Sequence, residues 1–126
     1  MTNQELIDRA ASVLGTRRTK GGLFGHVGSA LLSDKNEVYV GICADVSSNT
    51  FCAERNAIGS MITRGEFKVK KIVAVWKDKD ENVFVIAPCG DCRQFICEVN
   101  EENLDTEVIL DASKTVFLRD LLPNYN

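Results

Sequence analysis

The sequence predicts an α/β domain in which helices cover both faces of a mixed β-sheet. Segments with apolar residues at helical spacing alternate with short apolar runs that are typical of buried strands. The chain has 126 residues, a length that suits one domain with its own hydrophobic core. The sequence contains no fixed-period repeat and no low-complexity tract. We therefore expect a single domain over residues 1–126.

The first half of the chain predicts two helices that enclose a hairpin. The predicted elements are, in order, a helix over 6–14, a loop over 16–22, strands over 27–32 and 38–43, and a helix over 53–62. Gly15 is expected to end the first helix. Asn49 or Thr50 is expected to cap the second, because both side chains can accept a hydrogen bond from a first-turn amide.

The second half predicts further strands around a third helix. The predicted elements are strands over 71–76 and 83–87, a helix over 89–99, and strands over 108–110 and 116–118. Pro88 stops the strand that precedes the helix, since proline cannot donate to a sheet. The segment Leu121-Leu122-Pro123 ends the pattern.

Composition excludes several classes of protein. The chain carries 15 Lys and Arg against 18 Asp and Glu, a net charge of -3, so we expect no nucleic-acid partner. The segment 1–10 lacks the basic start and apolar run of a secretory signal, and no stretch is long enough to span a membrane. We expect a cytoplasmic protein, in which the five cysteines are core residues, metal ligands or reactive thiols.

Three cysteines form a candidate metal site. Cys52 precedes one predicted helix, and Cys89 and Cys92 lie in the first turn of another, where three-residue spacing places both on one side. Unpaired amides at a helix start favour the thiolate. If Cys52 faces the other two, three thiolates converge. Three protein ligands leave the fourth position of tetrahedral zinc open, which is the arrangement of a catalytic zinc site.

Glu54 is the candidate acid/base beside this site. Taken alone, a glutamate in the first turn could simply complement the helix dipole. The combination Cys-x-Glu followed by Pro-Cys-x-x-Cys, however, is the pattern of zinc-dependent nucleobase deaminases, in which the glutamate moves protons and is not a ligand. The pair of motifs therefore favours catalysis over dipole compensation.

The segments Cys52-Ala53-Glu54-Arg55 and Ala87-Pro88-Cys89-Gly90-Asp91-Cys92-Arg93-Gln94 resemble the zinc site of the cytidine deaminase superfamily, of the small cytidine deaminase and blasticidin-S deaminase type. The resemblance extends to 27–32, to Gly41 and to 121–123, so it covers almost the whole chain. It implies a three-layer αβα sandwich with a five-stranded mixed β-sheet. It also implies a homotetramer whose active sites are completed by neighbouring subunits.

The resemblance implies a zinc-dependent hydrolytic deaminase with one Zn²⁺ per chain. Such an enzyme replaces the 4-amino group of a cytosine-type ring by a 4-oxo group and releases ammonia, with cytidine, deoxycytidine or blasticidin S as substrate. Glu54 would move the protons, while the Ala53 amide and the Ala87 carbonyl would hold the ring. Arg55 would donate to a ligand sulfur and offset the charge of three thiolates; the alternative is a surface arginine.

The sequence departs from cytidine deaminases around the sugar site. Cys43 and Asp45 fall where those enzymes carry the asparagine and glutamate that bind ribose, and Cys43 could instead be a core residue. Ser29 and the short loop 45–51 are closer to blasticidin-S deaminases, although a buried serine can also bond the backbone. The base-stacking phenylalanine falls on Gly25, so Phe24 is a candidate substrate contact, or else a core or subunit contact.

Three rival functions follow from the same residues. A structural zinc module would use Cys43 as fourth ligand. A thiol oxidoreductase would use Cys89 and Cys92, whose spacing is loosely that of thioredoxin-like proteins. A nucleic-acid editing deaminase would need a basic or aromatic groove, which an acidic chain with 7% aromatic residues hardly provides. Cys97 is expected to be a core residue, and the lone His26 is expected to lie at the surface.

Overall fold

The computed structural model describes residues 1–122, and within them a mixed β-sheet is flanked by helices. The helices are α1 (Asn3–Ser12), α2 (Ala53–Thr63) and α3 (Gly90–Val99). The strands are β1 (Arg17–Thr19), β2 (Gly22–Ser33), β3 (Val38–Val46), β4 (Thr50–Phe51), β5 (Val69–Lys77), β6 (Val83–Ile86), β7 (Glu107–Asp111) and β8 (Lys114–Phe117). Two 3₁₀ helices span Glu101–Asp105 and Leu118–Leu121. None of the helices in residues 1–122 is long and apolar enough to cross a membrane.

The strand order along the sheet is β4-β3-β2-β5-β7-β8, with β1 paired to β2 and β6 paired to β5. Strands β5 and β7 are parallel, and the other pairs are antiparallel. A parallel pair needs a crossover connection, which α3 provides. The sheet is mixed, as expected, but the expectation of five strands was too low. The short β1 and β4, predicted as loops, pair with β2 and β3; both are exposed and so lack the apolar pattern that predicts a strand.

Two apolar clusters show that the sheet is covered on both faces. Side chains on a strand alternate between faces, and on β2 Leu31 packs with α2 and α3 while Ala30 and Leu32 pack with α1. On β5, Ile72 belongs to the first cluster, and its neighbour Val73 belongs to the second. The helices therefore lie in two layers around the sheet, which confirms the predicted three-layer class.

The first helix begins three residues before the predicted start, because its N-terminus is built from polar residues. Thr2 accepts a hydrogen bond from the Glu5 amide, and the Glu5 carboxylate accepts one from the Thr2 amide, which together form a capping box. Leu6, Ile7 and Ala10 form the buried face. The apolar period locates that face, whereas the cap locates the start.

The second helix carries three of the predicted site residues, Ala53, Glu54 and Arg55, and lies close to the sheet. Its N-cap is Cys52, so the prediction of Asn49 or Thr50 as cap was wrong. Thr50 lies in β4. The Asn49 side chain accepts a hydrogen bond from the Thr50 amide instead of one from a first-turn amide of the helix. A Cβ placed on Gly41 of β3 would lie 2.5 Å from the Ala57 amide nitrogen. Glycine at position 41 thus allows α2 to lie close to β3.

Candidate metal centre and adjoining cleft

The starts of α2 and α3 bring three cysteines together. Cys52 and Cys89 are the N-caps of the two helices, and Cys92 lies in the first turn of α3. The three Sγ atoms lie within 4.8 Å of one another, and the Sγ atoms of Cys52 and Cys89 are 3.8 Å apart. The predicted convergence of thiols from two helix starts is therefore present in the structure.

The helix start affects the thiols unequally. Partial burial opposes ionisation of Cys89, but hydrogen bonds outweigh it and lower its pKa; the Cys92 amide, 3.4 Å from the Cys89 Sγ, is the strongest of them. Burial raises the pKa of the Cys92 thiol well above its ordinary range. Cys89 therefore ionises more readily than Cys92, and a cation is needed to hold all three as thiolates.

The donor set fits zinc. Three thiolates are soft ligands that suit zinc, and a site with three protein ligands keeps a position open for catalysis. Cys43, the fourth ligand of the structural-module hypothesis, is not part of this group of sulfurs. Its Sγ lies instead 3.3 Å from the Nδ1 atom of His26.

Glu54 lies in the first turn of α2 and is 5% exposed. Burial raises the pKa of its carboxyl, because a charged carboxylate loses hydration there. Glu54 borders a small space of which Ala74, Ile86 and Pro88 are also walls. A buried carboxyl with a raised pKa next to a metal-ligating cluster is suited to accept and return a proton.

Arg55 joins the two helix starts. Its guanidinium forms a 2.6 Å ion pair with Asp91 of α3 and lies 4.8 Å from the centre of the Phe95 ring. Although partial burial opposes it, the Asp91 charge and a hydrogen bond to the Cys92 sulfur raise the pKa of Arg55. Arg55 is therefore not simply a surface side chain, since it interacts with a cysteine of the cluster.

Three predicted substrate residues have partners within the chain. The buried Ser29 hydroxyl donates a 2.7 Å hydrogen bond to the carbonyl oxygen of Val73, which is the backbone alternative considered above. The exposed Asp45 carboxylate accepts a 2.7 Å hydrogen bond from the Thr50 hydroxyl. Cys43 is buried beside His26.

The other predicted substrate residues lie near the start of a helix or strand. Phe24 is half-buried on β2, and its ring is so close to Gly22 that a Cβ there would lie 2.7 Å from the ring. Ala53 is buried at the start of α2, whereas Ala87 is exposed between β6 and α3. Ala53 and Ala87 thus flank the segments that carry the cysteines.

A cleft of about 580 Å³ opens where the residues after α1 meet β2 and the ends of β5 and β6, a size typical of small-molecule sites. Its walls include Gly25, His26, Val27, Trp76 and Ile86. Ile86 also borders the space at Glu54. Sequence reasoning did not assign Trp76 to a site, because its apolar strand pattern is that of a core residue.

The comparison with protein families agrees with this chemistry. A family described as the cytidine and deoxycytidylate deaminase zinc-binding region matches residues 1–106. A blasticidin-S deaminase of Bacillus cereus is 38% identical over 79 residues, which cover 58% of this chain and 56% of that protein. A cytidine deaminase of Mycoplasma genitalium is 32% identical over 76 residues, which cover 59% of this chain and 56% of that protein. The matched segments thus span little more than half of these relatives.

Solved structures resemble the whole chain. A cytidine deaminase from Burkholderia pseudomallei superposes with a TM-score of 0.76 at 26% identity and covers 100% of both chains. A cytidine deaminase from Mycobacterium tuberculosis superposes with a TM-score of 0.69 at 24% identity, over 96% of this chain and 91% of the other; this second likeness concerns the fold alone. The family match and the three-cysteine donor set together support one zinc ion per chain.

Proposed function

The chain belongs to the family of the cytidine and deoxycytidylate deaminase zinc-binding region, and from this premise we propose that it is a zinc-dependent hydrolytic deaminase. The enzyme replaces the 4-amino group of a cytosine-type ring by a 4-oxo group and releases ammonia. Its substrate is a free nucleoside or nucleoside analogue, such as cytidine, deoxycytidine or blasticidin S. The observation that carries the proposal is the buried carboxyl of Glu54, whose charge acts on the Cys52 and Cys92 thiols of the converging group.

Cys52, Cys89 and Cys92 would hold the zinc ion, which would supply the Lewis acidity that makes water nucleophilic near neutral pH. Glu54 accepts a proton from the attacking water, and the oxygen then bonds to C4 of the ring. The same carboxyl returns this proton to N3. It then takes the proton of the new C4 hydroxyl and passes it to the departing amine, so the C–N bond breaks with ammonia as product. Water and substrate together account for every atom of the 4-oxo product and the ammonia.

Arg55 tunes the cluster electrostatically. Three thiolates around a divalent cation leave a formal charge of -1, which weakens the cation as a Lewis acid. The Arg55 guanidinium faces the Cys92 sulfur and is anchored by Asp91. Its positive charge offsets the excess thiolate charge, as partners of metal ligands commonly do.

The backbone next to the cysteines positions the ring. We assign the Ala53 amide and the Ala87 carbonyl to this role, since both flank the cysteine-bearing helix starts. An amide and a carbonyl together match the acceptor and donor edge of an aminopyrimidine. Phe24 lies near the start of β2, and we assign it to a hydrophobic contact with the substrate.

The sugar or its replacement is assigned to Ser29, Cys43 and Asp45. The Ser29 hydroxyl donates to Val73, so Ser29 can offer the substrate only an acceptor. Asp45 is exposed and keeps one carboxylate oxygen beyond its bond to Thr50, which leaves it able to accept from a hydroxyl. Cys43 is a weak donor. These three residues offer few hydrogen-bond donors to the oxygens of a ribose. They therefore support a nucleoside analogue with a different sugar part at least as well as cytidine.

The proposal includes three further expectations. The protein acts in the cytoplasm, assembles as a homotetramer and takes a free substrate rather than a nucleic acid. The net charge of -3 supports the last point, because a polynucleotide would be repelled. Light scattering tests the assembly: a tetramer agrees with the expectation, and a monomer contradicts it.

The deciding experiment is an ultraviolet assay for loss of the 4-amino group. Cytidine, deoxycytidine, blasticidin S and modified cytosines are each incubated with the zinc-loaded protein and with Glu54→Gln. We expect at least one compound to be deaminated by the parent protein and not by the variant. Turnover of none of them would contradict the proposal. One tightly bound zinc without disulfide-reductase activity excludes the thiol oxidoreductase that Cys89 and Cys92 could otherwise form.

A further inference from the structure

Trp76 is a large apolar side chain with an unusual position. It is the only tryptophan of the chain and lies near the end of β5, where it is 39% exposed. The three residues before it on the strand are buried. Exposed aromatic residues at a cleft mark interaction sites more often than scattered ones do, and Trp76 borders the 580 Å³ cleft.

The strand register places Trp76 on the same side of the sheet as Glu54. Ile72, Ala74 and Trp76 alternate along β5 and share a face, and Ile72 packs with α2, the helix that carries Glu54. Ala74 also borders the space at Glu54. Ile86 of β6 pairs with Ala74 and lines both the cleft and that space. The cleft at Trp76 and the space at Glu54 therefore adjoin at Ile86.

The indole ring is held in place before any ligand binds. Phe84, the partner of Trp76 across β5 and β6, stacks on it with ring centres 5.1 Å apart and planes inclined by 26°. A ring that is already fixed loses little conformational freedom on binding. The other cleft walls include His26 and the ion-paired residues Lys77 and Glu81. One rigid aromatic wall with a few polar groups is typical of a small-molecule site.

We propose that Trp76 is a specificity-determining residue, whose indole packs against the part of the substrate that extends from the Glu54 carboxyl into the cleft. This inference rests on the deaminase function proposed above and adds a residue to it. An aromatic face attracts planar and apolar surfaces. The cleft therefore selects nucleoside-like compounds by the group attached to the aminopyrimidine, while Glu54 acts on the amino group.

Tryptophan fluorescence tests the contact directly, because all tryptophan emission of the chain comes from Trp76. Zinc-loaded Glu54→Gln protein, which is expected to bind without turnover, is titrated with cytidine, deoxycytidine and blasticidin S. The same titrations are followed by calorimetry. We expect a saturable emission change with the calorimetric midpoint for every compound that binds. Calorimetric binding with unchanged emission would overturn the inference and leave the deaminase proposal standing.

Kinetics of substituted proteins provide the second arm. Trp76→Ala is expected to raise KM about tenfold with kcat little changed, the pattern of lost substrate binding. Trp76→Phe should restore most of the affinity. Phe67→Ala is the matched control, since Phe67 is 48% exposed and lies just before β5, at the opposite end from Trp76; it should behave as the parent protein.

Two results would count against Trp76. An unchanged KM in Trp76→Ala overturns its role even if the protein is an active deaminase. Absence of calorimetric binding for all compounds overturns the deaminase proposal itself, and this inference with it. The two failures are distinguishable because calorimetry still detects substrate binding in the first case and detects none in the second.

Discussion

The hydroxyl of Ser29 donates a 2.7 Å hydrogen bond to the carbonyl oxygen of Val73, which joins β2 to β5 through a side chain. Both residues are buried, and Val73 borders the small space at Glu54. This bond therefore stiffens the floor of the proposed site. It also uses the hydrogen that Ser29 could otherwise donate to a substrate.

Replacement of Ser29 by alanine is expected to lower the free energy of unfolding by about 1–3 kcal/mol, because a buried hydrogen bond is lost. Urea unfolding monitored by circular dichroism measures this change. Ser113→Ala is the control, since the Ser113 hydroxyl bonds an exposed Asp111 and its loss should cost less than about 0.5 kcal/mol. Equal stability of Ser29→Ala and the parent protein would contradict the structural role.

Glu54→Gln is expected to reduce kcat by about 100- to 10,000-fold, the range attributed to general acid/base catalysis. The amide keeps the shape of the side chain but cannot transfer the proton. Zinc content, measured by atomic absorption, should stay at one per chain. Glu98→Gln on the exposed side of α3 serves as the matched control and should retain activity. A fully active Glu54→Gln enzyme would remove Glu54 from the mechanism.

Each of Cys52→Ser, Cys89→Ser and Cys92→Ser is expected to bind less than one zinc per chain, since a hydroxyl is a much poorer ligand than a thiolate. Cys97→Ser provides the control on the same helix as Cys89 and Cys92. Its Sγ donates to the Gln94 carbonyl, so zinc content should be unaffected. Chelation should abolish activity, and added zinc should restore it. Full zinc content in all three variants would refute the assigned ligands.

Arg55→Ala is expected to weaken zinc binding about 10- to 100-fold, as changes next to metal ligands commonly do. Competition with a chromophoric chelator measures this affinity. Asp91→Asn separates the role of Arg55 at the cysteines from its ion pair, because the Asp91 side chain is 80% exposed and its loss should be mild. An equal effect of Asp91→Asn and Arg55→Ala would mean that the ion pair alone matters.

The contact of Tyr39 with Glu66 should make stability depend on pH. The Tyr39 hydroxyl donates to the buried Glu66 carboxylate and lowers the pKa of that carboxyl. The hydrogen bond therefore contributes to the free energy of unfolding above the ordinary carboxyl pKa. This contribution is lost as the pH falls through the lowered pKa of Glu66. Tyr39→Phe should therefore be less stable than the parent protein at neutral pH, with a smaller difference in acid. Urea unfolding at both pH values checks this; a constant difference would contradict it.

The sequence predicts much of the architecture because local patterns decide it. The spacing of apolar residues predicts the helices and the long strands. On β2, for example, side chains alternate between the two faces of the sheet, and Leu31 lies on the face that packs against α2 and α3. The cysteine spacing likewise predicts the convergence of Cys89 with Cys92, since both lie in one helical turn. That Cys52 joins them depends on how α2 lies against the sheet, and Gly41 permits that approach.

Other features depend on contacts between distant residues and escape pattern reasoning. The strands β1 and β4 form by pairing with β2 and β3 and carry no apolar signal. The cap of α2 is Cys52 because Asn49 and Thr50 are used by β4 and its turn. The position of Trp76 at the cleft follows from the register of β5 with β2 and β6, which periodicity alone does not set.

The central claim is that zinc at the three cysteines and the Glu54 carboxyl together remove a 4-amino group by hydrolysis. Its most direct test measures ammonia and 4-oxo product formed from the same aminopyrimidine nucleosides, with zinc-loaded and zinc-free protein. The account predicts equal amounts of both products with zinc and neither without it. Product formation that is independent of zinc, or the absence of ammonia from the zinc-loaded protein with every compound, would contradict it.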